Sequence, residues 1–178
     1  MKSFDDSFHV EHFDNAKFFA KDLFFDSFAI DFPVPRDGCG LAIPTPARHW
    51  HQYVAFYEWE SRRFEAVGFC NWIRFDDVYL EGGLCVSRNF YRRLPRSHWD
   101  QCHAAGGVAQ LIMEAAARQW NDCSAWFGYC GDKKASIVDA RVGFLPTRYQ
   151  YLIVKWFQDP PPAQKDALIE KLAAIGPF

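Results

Sequence analysis

The sequence has two methionines in 178 residues, no Cys-x-x-Cys pair, no internal repeat and no low-complexity run. Its formal net charge is only -2, so the chain as a whole has no electrostatic reason to seek nucleic acid or an anionic membrane. No stretch approaches the roughly 18 uncharged apolar residues that a membrane-spanning helix needs. The opening residues, MKSFDDSFHV, carry acids where a secretory leader carries lysines, and they lack its apolar segment. Without a leader, the six cysteines at 39, 70, 85, 102, 123 and 130 are expected to be reduced, mostly buried thiols of a cytoplasmic protein. His98, Cys102 and His103 are spaced like metal ligands but lack a second ligand pair, so no metal is expected.

Aromatic side chains, by contrast, are abundant. They make up 18% of the chain, with 18 Phe, 7 Trp and 7 Tyr, which points to a thick core, a concave pocket, or both. The length and the 49% hydrophobic content suit one globular domain, spanning 1–178. Within it, residues 1–48 read as a helix followed by a proline-rich loop, 50–157 as the core, and 159–178 as a terminal helix.

In the acidic N-terminal part, Asp14 is placed to cap a helix on which Phe18, Leu23, Phe25, Phe28 and Phe32 recur at roughly helical spacing, ended by Pro33 and Pro35. Three meandering strands follow. They are Trp50 to Glu58, Phe64 to Arg74 and Val78 to Val86, joined by turns at 60–63 and 76–77. Gly82-Gly83 inside the third strand marks a bulge or a close backbone approach. Residues 87–105 interrupt the pattern with four arginines and two histidines. After Gly106-Gly107, the apolar positions Val108, Leu111, Ile112, Ala115 and Ala116 define an amphipathic helix. Ser124 to Cys130 reads as a strand, Asp132 as the cap of a helix ending at Gly143, Thr147 to Phe157 as a strand, and Ala163 to Ala174 as a helix. The fold class is mixed α/β, antiparallel in its first half and βαβ in its second.

Chemistry is most concentrated where the bulged strand leads through glycines into helix 108–120. A helix start offers unpaired N–H groups and the positive end of the dipole to a phosphate, and glycine permits close approach. At this point the sequence resembles the GNAT superfamily of acyl-CoA-dependent N-acyltransferases. The family's pyrophosphate loop, Arg/Gln-x-x-Gly-x-Gly/Ala, is matched by Ala104-Ala105-Gly106-Gly107-Val108-Ala109, with Ala104 in the Arg/Gln place. Its later Asn-x-x-Ala-x-x-x-Tyr-x-x-x-Gly-Phe is matched by Asp132, Ala135, Gly143 and Phe144, with Asp139 where the tyrosine acid is usual.

The resemblance implies a central, mostly antiparallel twisted sheet with a parallel, splayed strand pair and flanking helices. It implies acetyl-CoA or another acyl-CoA as co-substrate and an amine of unknown identity as acceptor. The pantetheine arm would pair with Leu84, Cys85 and Val86, and the pyrophosphate would sit on the amides of Gly106, Gly107, Val108 and Ala109, with Asp132 alongside. Glu81 would serve as base. Tyr129, or Asp139 if burial raises its pKa, would serve as acid.

Two alternatives stay open. One is a GNAT-like module that binds without transferring an acyl group. The other is a nucleic-acid-modifying relative using the basic residues of 87–105. That stretch also reads as a lid whose Arg88, Arg92, Arg93 and Arg96 supply cations to the CoA phosphates or to an acidic acceptor, or as a solvated basic loop anchored by Trp99. The acyl length and the oligomeric state, a dimer included, are not legible.

Overall fold

The structure, a computed structural model, describes residues 2–33 and 50–178. The proline-rich stretch beyond Pro33, with Cys39, lies outside the described residues. In chain order the elements are α1 (Phe4–Ser7), β1 (Phe8–Phe13), α2 (Lys17–Phe28), β2 (Trp50–Glu60), β3 (Arg63–Phe75), β4 (Val78–Val86), α3 (Phe90–Arg93), α4 (Arg96–Ala104), α5 (Val108–Gln119), β5 (Ala125–Tyr129), α6 (Lys133–Arg141), β6 (Leu145–Pro146), β7 (Leu152–Trp156) and α7 (Pro162–Ile175). One sheet runs β1-β2-β3-β4-β5-β7-β6, antiparallel throughout except for the parallel pair β4 and β5.

The two-residue period of the strands builds a core on each face. Tyr53, Tyr57, Trp72, Tyr79 and Trp126 point to the side covered by α5, where Val108, Ile112, Met113 and Ala116 are buried. Val54 and Phe69 face α2, while Ile73, Leu80 and Phe127 face Leu172 of α7. Trp72 and Trp126 lie 4.2 Å apart between ring centroids, and burying a large apolar side chain contributes about 1.5–3 kcal/mol. Gly68 lets α5 descend onto the sheet, because a Cβ there would stand 2.6 Å from both Ile112 and Val108.

Several elements depart from the sequence reading. Asp14 does not cap α2. Ala16 holds that position without a side-chain bond, and the Asn15 side chain accepts from Lys17 N. The buried face of α2 is Ala20 and Phe24, whereas Phe18 is 85% exposed. The helix stops at Phe28, where left-handed Ala29 donates its N–H to Phe25, before either proline is reached. Element α1 closes a capping box between Ser3 and Asp6, and β1 adds an outer strand to the meander; neither was expected. Residues 87–105 form two helices, with Phe90, Leu94, His98 and Cys102 buried. The strand expected over 147–157 begins only at Leu152, after a turn in which Tyr151 has φ 67°.

Candidate active site

The site begins with an irregularity in pairing. Cys70 pairs with Leu84 and Trp72 with Glu81, so Gly82 and Gly83 together oppose Asn71 alone. Gly83 has φ 126°, a conformation that favours glycine, and a Cβ on Gly82 would stand 2.7 Å from the Asn71 amide. Asn71 is buried and bonded to Gln52, whose Oε1 accepts from Ala16 N, tying the bulge to the start of α2. On its other edge, β4 pairs with β5 only as far as Glu81 opposite Gly128. Beyond that rung the two strands part, and the edge of β4 over 82–86 has no strand partner among the described residues.

The gap is lined as two adjoining cavities that share Phe28, Leu84, Asp132 and Ala135. One, of 370 Å³, contains Glu81, Tyr129, Cys130 and Asp139. The other, of 680 Å³, runs along Leu84, Cys85 and Val86 to Ala109, with Arg88 and Lys134 at its exposed wall. Both volumes fall in the range of small-molecule sites.

Glu81 lies at the last rung before the strands part. Its carboxyl rests over Gly128, where a Cβ would come within 3.0 Å of Oε2. Desolvation, reinforced by the negative charge of Asp139, pushes its pKa up to about 8. Asp139 is buried on α6, and its pKa is raised by that burial, against which a hydrogen bond from the Cys130 thiol acts. Cys130 is pushed up to about 12 by desolvation and by Asp139, so its thiol stays protonated and is a poor nucleophile. Burial also raises Tyr129, which therefore remains a phenol. Asp132 caps α6, with one carboxyl oxygen accepting from the amides of Lys134 and Ala135 at 2.8 and 2.9 Å.

Not every expected residue reaches the gap. Gly106, Gly107 and Val108 do not line either cavity, and their amides are engaged inside the protein. Gly106 N donates to His103 O, Gly107 N to Cys102 O, and Val108 N to the Tyr91 hydroxyl at 3.0 Å. Of the four residues expected to cradle a pyrophosphate, Ala109 alone stands at the cavity wall. The physical reason is the pair of helices between β4 and α5. Their last turn ends through Gly106 and Gly107, and Tyr91 of α3 occupies the first amide of α5.

The histidines of the metal-like trio have other partners. Both ring nitrogens of His98 are engaged, with Tyr57 Oη and Lys2 O, while His103 stacks on Trp99. Sequence reasoning included Arg88 among the arginines that a lid would turn to the CoA phosphates, but it missed Lys134. Lys134, on α6, and Arg88, just before α3, line one gap, and no spacing signals that.

The structure is similar to the coenzyme A-bound structure of a putative N-acetyl transferase, YhhK, from E. coli, with TM-score 0.50 and 14% identity, covering 88% of this chain and 99% of that chain. It is also similar, with TM-score 0.50 and 17% identity, to a GCN5-related glucosamine N-acetyltransferase region in a fungal multi-domain GH3 beta-N-acetylglucosaminidase, covering 80% of this chain and 17% of that chain. No family model and no curated protein matches the sequence.

Proposed function

We propose that this chain, which has the GNAT fold, is an acyl-CoA-dependent N-acyltransferase acting on a primary amine. The observation that carries this reading is the parting of β4 and β5 directly beyond Glu81, which leaves a carboxyl with a raised pKa in the smaller of two adjoining cavities. The residues present fit an acyl-CoA. The unpaired edge of β4 at Leu84, Cys85 and Val86 suits the amide-bearing pantetheine arm, and Arg88 and Lys134 suit its phosphates.

The thioester supplies the activated acyl group. Glu81 accepts the proton that an ammonium must lose before it can attack, and a base near 8 is well matched to that task. Tyr129, held as a phenol, donates a proton to the departing sulfur. Asp139, in the same cavity, adds its charge to the desolvation that raises the pKa of Glu81, and this reading gives it that role rather than that of the acid. Incubation with acetyl-CoA and an amine panel, read as free-thiol release, tests the reading. Release that depends on the amine supports it, and no release with any amine removes it.

A second reading, binding without transfer, is favoured by one observation. The amides of Gly106, Gly107 and Val108 are already occupied, and no side chain of the Arg/Gln kind stands at Ala104. It predicts CoA affinity without amine-dependent thiol release. The nucleic-acid reading loses two of its arginines to neighbours, since Arg93 pairs with Glu65 at 2.8 Å and Arg96 with Asp100 at 3.0 Å.

A further inference from the structure

We infer that the 370 Å³ cavity selects a small primary amine carried on a single apolar body, an aryl or alkyl group, and rejects acidic, polyhydroxylated and polyamine acceptors. The inference rests on the acyl-transfer reading for the reaction, but the binding preference follows from the walls alone. Near Gly83 the cavity is walled by Phe24 and Phe28 of α2, with Ile30 just beyond the helix also in its lining. Phe28 and Ile30 are 40% and 60% exposed, and both turn that apolar surface to the gap, where a ligand would cover it.

The polar groups converge at the other end. Glu81 and Asp139 stand there, and no lysine, arginine or histidine is among the described residues that line the cavity. Asp132, the third acid of the lining, is spent in part on the amides of α6. A ligand carboxylate or phosphate would therefore meet acids with no compensating cation. Extra hydroxyls or ammonium groups would lie against phenylalanine without partners, and an unsatisfied polar group is costly to bury. One ammonium beside the carboxyls and one apolar body along α2 satisfies both ends.

Calorimetric titration of the whole protein, saturated with CoA, with phenethylamine, ethanolamine, putrescine, glutamate and a short peptide with a free N-terminus tests this. Phenethylamine is expected to bind at least about tenfold more tightly than ethanolamine or putrescine, with glutamate weakest. Phe28→Ser is expected to abolish that preference without altering the circular dichroism spectrum. Equal affinity for ethanolamine, tighter binding of the peptide, or no binding of any amine overturns the inference. Thiol release from acetyl-CoA with the same amines separates the two readings. Phenethylamine bound without release overturns acyl transfer and leaves the cavity assignment intact. Release with putrescine but not phenethylamine keeps acyl transfer and overturns the cavity assignment.

Discussion

Around Arg88 and Lys134 the cleft is exposed and cationic, whereas around Glu81 and Asp139 it is apolar-walled and acidic. The two ends share Leu84 and Phe28, yet they treat charge in opposite ways. Exposed lysine and arginine keep their solvation and act as screened point charges toward an anion. The carboxyls at the other end have lost solvation, so their pKa values rise and one of them can exchange protons near neutral pH. Glu81 and Arg88 thus reach the two ends from β4 and the residues just after it, with the two-glycine bulge between them, while Asp139 and Lys134 reach them from α6.

The sharpest way to break the contrast is Glu81→Gln, which keeps the shape and removes the proton acceptor. kcat is expected to fall by about 10²–10⁴-fold, with CoA affinity unchanged. In the wild type, activity should rise with pH through about 8, because the base works only when deprotonated, and the Gln variant should lose that inflection. Steady-state kinetics across pH 6–9 measure both, and a kcat within about threefold of wild type would remove Glu81 as base. Stability gives an independent reading. A carboxyl whose pKa lies above its ordinary 4.5 favours the folded state while protonated, and that advantage is lost as pH rises toward about 8. Thermal melts of the Gln variant should therefore show a flatter decline over this window.

At the cationic end, replacing Arg88 and Lys134 together by glutamate is expected to weaken acetyl-CoA binding by about tenfold, or about 1.4 kcal/mol. KM for the amine should be unaffected. The wild-type affinity should fall with added salt, and that of the variant should fall less.

The helix start between these ends is expected to behave differently from either. Gly107 has φ 90°, and a Cβ there would stand 3.0 Å from the Tyr91 hydroxyl. Gly107→Ala should cost about 1–3 kcal/mol of stability, measured by denaturant unfolding, because φ 90° with ψ 170° is a backbone conformation essentially reserved for glycine. CoA affinity should change by less than about threefold, because this residue does not line the cavity. A large affinity loss without a stability loss would return the amides of Gly106 to Val108 to the binding site.

The smallest expected effect is that of Asp139→Asn. Removing the charge beside Glu81 should move the inflection of the pH–rate profile to lower pH while leaving the plateau kcat largely intact. Collapse of kcat at all pH values would instead make Asp139 the acid.

Much of the second half of the chain was legible because its signals are local. Asp132 caps α6, Gly107 starts α5, and Val108, Ile112 and Ala116 face the core as their spacing requires. The bulge at Gly82-Gly83 was equally plain, since paired glycines have few other reasons to interrupt a strand. The face of α2 was not legible, because phenylalanines populate several sides of that helix and the sheet accepts the side with Ala20, where backbones can approach. In β1, the alternation of Phe8 and Val10 with His9 and Glu11 is short, and its partner β2 lies some forty residues along the chain. In α3 and α4, the buried series Phe90, Leu94, His98 and Cys102 was masked by the surrounding arginines and by Pro95.

By itself, then, the sequence determined β2 to β5, the bulge, the Asp132 cap of α6, the start of α5 and the position of Glu81 beside the glycine pair, each through a short-range backbone preference. Only the tertiary structure decided that Glu81 lies near Asp139 and Cys130, that Arg88 and Lys134 line the same gap, and that Tyr91 closes the first amide of α5. Burial and charge proximity depend on which elements pack together. The raised pKa of Glu81 is therefore a property of the parting between β4 and β5, which no single segment of the chain contains.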